Sequence, residues 1–233
     1  MTQHRTWIGC LSLAVGIIWV GADAKGQETS VQRRVAARVP LQEIPAGIRD
    51  QVREMLEHPT VFGRGPAEAF AGEPGLYEWL LDHPDKGVQA WRRLGARCTE
   101  ITDRGEGKFS WTDGHGSEIH WHTIYQNAAL RVWLAEGRVR PGLLLPAVPV
   151  QMVVALRHGK RPDGSDRTLI YHQASIFLST DSKTVTLATR VLGPSAPRIA
   201  EQCLGQMETF FSALVWYLSQ HPERTEKLLG PVR

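Results

Sequence analysis

The stretch 115-HGSEIHWHT-123 puts three histidines and a glutamate into nine residues, with His120 and His122 separated by one position. Alternate side chains of a strand stand roughly 6 to 7 Å apart, and each zinc–ligand bond is about 2 Å. His120 and His122 could therefore chelate one zinc ion, provided a third ligand comes from a neighbouring strand, with His172, His158 and Asp113 as candidates. The same alternation places Ile119, Trp121, Thr123 and Tyr125 on the opposite face. That apolar set suits a core, so the histidines lean outward, and a pleated face carrying neutral imidazoles is the plainer account of them. The chain has no HExxH, CxxC or GxSxG pattern to anchor a metal or nucleophile elsewhere. Its glycine-rich 103-DRGEGKFSWTDGHG-116 lacks the ending of a phosphate loop and reads as hairpin turns. Arg92, Arg93 and Arg97 fit either an anionic head group or a solvated helix face.

The elements that must position these residues begin after a leader. Sixteen uncharged residues, Trp7 to Ala22, are followed by Ala22-Asp23-Ala24, small residues flanking a cleavage point. The run is shorter than the roughly 20 residues of a spanning helix, so residues 1–24 read as a secretory signal peptide. An exported protein is expected, periplasmic or extracellular, with no transmembrane anchor after cleavage. Cys10 leaves with the leader, and an oxidising compartment would let Cys98 and Cys203 pair. A net charge of +3 gives no nucleic-acid signal.

Residues 25–42 mix polar and basic residues without firm periodicity and read as a flexible mature N-terminus. Residues 43–222 are expected to form a single α+β domain, and 223–233 a C-terminal tail. From Ile44 to Ala96 apolar residues recur at helical spacing, broken at His58-Pro59, at 63-GRGPAEAFAGEPG-75 and at His83-Pro84. Strands then follow at Phe109–Thr112, Glu118–Tyr125, Leu130–Ala135, Val150–His158, Thr168–Ser179 and Thr184–Leu192, joined by short turns that favour antiparallel neighbours. The segment 137-GRVRPGLLLPAVP-149 is expected to cross one end of the sheet. One long helix closes the chain, with Ser195 as cap, Pro197 in its first turn, and an apolar stripe of Ile199, Cys203, Met207, Phe210, Phe211, Leu214 and Leu218.

Short helices, an antiparallel sheet of about six strands and a long C-terminal helix gripped by it together resemble the START-related and polyketide-cyclase-like helix-grip domains. The resemblance covers Leu76 to Leu218 and lies in element order. It implies an apolar cavity between sheet and final helix holding a lipid or other hydrophobic small molecule, and calls for no cofactor. Tyr171, His172 and Gln173 could orient its head group or equally satisfy one another, with Met152, Met207 and Phe211 along its apolar part. Strands apolar on both faces, such as 150-VQMVVALRH-158, fit that cavity and fit a solid core as well. A histidine-dependent metal or hydrolytic enzyme, and an envelope interaction protein without a small ligand, stay open as alternatives.

Overall fold

The computed structural model describes residues 24–140, 147–163, 168–180 and 196–231, without the side chains of 24–29 and 196. Residues 1–23 of the leader, residues 141–146, the Thr184–Leu192 strand and the Ser195 cap lie outside the described residues. The segment 137–149 does not cross the sheet, since Gly137, Arg138 and Val139 pair with Val150, Pro149 and Val148 as the two arms of a hairpin. Helix α1 (Ala24–Ala36), a 3-10 turn (Leu41–Glu43) and α2 (Ala46–Glu57) come first. Strands β1 (Val61–Arg64) and β2 (Glu68–Ala71) precede α3 (Pro74–Asp82) and α4 (Pro84–Arg93). Then come β3 (Ile101–Gly105), β4 (Lys108–Thr112), β5 (Glu118–Gln126), β6 (Leu130–Val139), β7 (Val148–Pro162) and β8 (Thr168–Ser179). Helix α5 (Ala196–Gln220), a 3-10 turn (Pro222–Arg224) and α6 (Thr225–Leu229) end the chain. Proline opens α3 and α4, where its missing N–H has no helical partner to lose.

Among the described residues eight strands form one antiparallel sheet in the order β1-β8-β7-β6-β5-β4-β3, and β2 continues the β1 edge by pairing with β8. One face carries Leu134, Val153, Ala155 and Phe177 and is closed by α1 and α2. The other carries Leu156, Ile170 and Ala174 and meets α3, α4, α5 and α6. The fold is a helix grip, an α+β sheet closed on one side by its long C-terminal helix.

Three sequence expectations change. Residues 25–42 are not a loose segment: α1 occupies most of them, and Val35 and Val39 are buried against Phe62 and Phe177, contributing roughly 1.5–3 kcal/mol each. The stretch read as a glycine- and proline-rich break holds β1 and β2, because its glycines serve close packing. A Cβ on Gly63 would lie 2.7 Å from the Ala200 Cβ, one on Gly72 would lie 2.7 Å from Val215 Cγ1, and one on Gly65 would collide with the Glu208 carboxylate. Third, the 223–233 tail contains α6, whose Leu228 and Leu229 are buried beneath α4 and α5.

Candidate functional site

Helix α5 lies over β1, β2 and β8, the edge its glycine contacts allow. The apolar rows of that face continue past it. By register Phe109, Trp121, Ala135, Met152 and Leu178 form one cross-strand row, and Thr123, Trp133, Val154 and Ile176 a second. Trp121, Trp133, Met152, Val154 and Ile176 are only half-buried, as are Met207 and Phe211 of α5. Phe109 and Trp121 stack with centroids 5.7 Å apart. A β-bulge between Thr123 and Tyr125 ends this pattern on β5. Tyr125 pairs with Val132 and turns to the α1 and α2 side, so it does not share the face of Trp121 as simple alternation predicts.

A buried polar chain borders the trough. Thr209 Oγ1 donates to Glu68 Oε1 (3.2 Å), and Ser212 Oγ donates to Glu68 Oε2 (3.0 Å). The same Oε2 lies 3.3 Å from His172 Nε2, whose Nδ1 lies 3.0 Å from the Tyr77 hydroxyl. A carboxylate only accepts, so Nε2 carries the proton and the phenol donates to Nδ1. Burial holds His172 below the usual imidazole range against the pull of Glu68, and pushes the Tyr77 phenol well above its usual value. His158 pairs directly with His172 across β7 and β8 and packs edge-on to Tyr77. Its imidazole is also depressed, by burial and by Arg131, and Nε2 has no partner among the described residues. Arg131, itself buried, donates to Asp82 of α3 at 2.6 Å.

Glu208 is the second carboxylate of the cluster and is 1% exposed. Its Oε1 accepts from the Ala174 N–H at 2.5 Å, while Oε2 has no partner among the described residues. Burial, aided by Glu68, pushes its pKa up to about 7. The chain of groups could pass a proton between carboxylate and phenol, but Tyr77 and His172 are each 2% exposed, which leaves Glu68 as its open end. The cluster was missed in sequence because its members lie far apart. One signal was available: the buried stripe of α5 runs Leu204, Glu208, Ser212, Val215 and Leu218, one position off the expected Cys203 and Met207 line, and places two polar residues inward.

The expected ligand residues divide by strand alternation. His172, Met152, Met207 and Phe211 lie on the α5 side. Tyr171 and Gln173 point to the other face: Tyr171 is 43% exposed and covers Gly159, and Gln173 binds Arg64 and the Gly65 carbonyl. His120 is exposed, with Nε2 at 3.1 Å from Glu118 Oε1, and its cross-strand neighbours are Ser110 and Glu136. His122 faces the same way, whereas His158 and His172 belong to the opposite face, and Asp113 is occupied by the N–H groups of His115 and Ser117. Among the described residues no three His, Cys, Asp or Glu side chains stand together closely enough to hold a metal ion. Cys98 is half-buried, Cys203 is exposed on α5, and the two are not bonded to each other.

Of two openings, the smaller reaches the polar chain. A groove of about 600 Å³ lies between β2, the start of β8 and the end of α5, lined by Gly72, Leu76, Thr168 and Leu218. A crevice of about 80 Å³ reaches Tyr77 and His158.

No family model matches the chain, and no curated protein matches it. Solved structures are similar to it in fold. The Zhui aromatase/cyclase from Streptomyces sp. R1128 is 17% identical with a TM-score of 0.36, over 73% of this chain and 99% of that one. A hypothetical protein from Helicobacter pylori is 14% identical with a TM-score of 0.39, over 77% and 94%. The di-domain aromatase/cyclase StfQ from the steffimycin biosynthetic pathway is 10% identical with a TM-score of 0.41, over 76% of this chain and 56% of that one. What makes this chain a helix grip is its own strand order and the seating of α5.

Proposed function

We propose that the protein is an exported binder of an apolar small molecule, a lipid or a similar ligand, held along the α5 side of β4 to β7. The observation that carries this reading is the pair of cross-strand rows around Trp121, Trp133, Met152 and Val154, which stay half-buried where α5 turns to the sheet edge. Binding sites for such ligands are lined predominantly by hydrophobic and aromatic side chains, as these rows are.

The test is native mass spectrometry of the purified protein with extraction of any bound organic molecule, followed by titration with a fluorescent fatty acid. Uptake should fall at least about tenfold in Met152→Lys and be unchanged in Gln151→Lys, whose side chain lies on the outer face. A protein that neither carries nor takes up an apolar ligand would overturn the reading. Export rests on the uncharged Trp7–Ala22 run and the small residues after it. Intact mass of the mature chain should place its first residue near Lys25, and retention of Met1 in the cytoplasmic fraction would contradict export.

A further inference from the structure

The arginines that stood out in the sequence are already engaged: Arg92 pairs with Glu100 at 3.1 Å, and Arg93 donates to the carbonyls of Lys227 and Leu228. A different set converges on the opposite face. Arg64 of β1 donates to Gln173 Oε1 of β8 at 2.5 Å, and Gln173 is held in turn by its Nε2 on the Gly65 carbonyl at 2.9 Å. Arg157 of β7 is the direct cross-strand partner of Gln173, so Arg64 and Arg157 flank one carboxamide on one face of the sheet. Helix α1 and the turn after it cross that face, held by buried Val35 and Val39, and carry Arg34 and Arg38 beside those two anchors.

None of Arg34, Arg38, Arg64 and Arg157 is in an ion pair among the described residues. Burial first, and then the charges of Arg157, Arg38 and Arg34, hold Arg64 below its ordinary value. Arg64 Nε is buried and has no partner among the described residues, while Arg34, Arg38 and Arg157 are exposed. Like charges gathered without a counter-charge repel one another, and a dianionic group placed among them relieves that cost and accepts their planar forks two bonds at a time.

We propose that Arg34, Arg38, Arg64 and Arg157 form a site for a phosphate group, on the face of the sheet opposite the apolar trough. The group belongs either to a free phosphate ester or to the head group of an anionic phospholipid. Gln173 acts there as a positioning residue, fixing the Arg64 fork.

The probes are inorganic pyrophosphate, followed by isothermal titration calorimetry, and sedimenting phosphatidylcholine vesicles with and without phosphatidylglycerol. Arg64→Gln and Arg157→Gln should each weaken binding by roughly tenfold or more, and Arg92→Gln should leave it unchanged. Circular dichroism identifies any variant that fails to fold, and the exposed Arg157 keeps the test available if Arg64→Gln does. Pyrophosphate binding without vesicle binding identifies a free phosphate ester; binding only to vesicles with phosphatidylglycerol identifies a lipid head group. The site is overturned if neither probe binds, or if Arg157→Gln binds as tightly as the natural protein.

Discussion

Glu208 and its histidine neighbours make stability depend on pH in opposite senses. A carboxyl with a raised folded pKa keeps its proton longer in the folded chain, so its contribution is full below its ordinary value of 4.5 and is lost as pH rises to about 7. That loss is about 3 kcal/mol. His158 and His172, with lowered values, act the other way, since their contribution is present above the ordinary 6.5 and is lost on acidification. In Glu208→Gln the amide still accepts from Ala174, and denaturant midpoints should then rise with pH between 5 and 7 where the natural protein's gain is cancelled. A midpoint profile parallel to that of the natural protein would contradict the assignment. Tyr77→Phe should cost about 1–3 kcal/mol in the same measurement, because it leaves the buried His172 Nδ1 without a donor. Little of this cluster was legible in sequence. His172 stands out in the sequence, but strand alternation separates it from Tyr171 and Gln173, and its partners come from β2 and α3, with α5 reaching it only through Glu68.

Elements whose period is carried by their own side chains were legible, and those defined by a neighbour were not. Strands β4 to β8 and helices α2 to α5 read correctly because alternation and helical spacing come from contacts with a broad core. Strands β1 and β2 are short edges set among Gly63, Gly65 and Gly72, and local signals there favour a turn. Their glycines are explained only by a helix more than a hundred residues away. Gly63→Ala should therefore destabilise by about 1–3 kcal/mol, since Ala200 Cβ is fixed to the helix backbone and α5 must shift. Adding Ala200→Gly should recover the packing loss and retain only the helix cost of glycine, about 1 kcal/mol. Chemical denaturation of the two single variants and the double variant checks this, and additive losses would contradict the contact.

At the scale of the whole molecule, the sheet is covered on both faces, by α1 and α2 on one and by α3 to α6 on the other. The first helix is part of the fold, and Val35→Ala with Val39→Ala should lower stability by about 2–5 kcal/mol, seen as a lower thermal midpoint. The second cover has a consequence for the order of assembly. The bonds that tie β2 and the residues after it to α5 span long stretches of chain: Glu68 reaches Thr209 and Ser212 across 141 and 144 positions, and the Glu73 N–H reaches Ser219 across 146. Closing such loops is slow, and no earlier segment can substitute for the helix. A nascent chain emerging from the ribosome therefore displays Leu156, Ile170 and Ala174 on an uncovered sheet until α5 is made, which leaves that face open to chaperones after the strands themselves are complete.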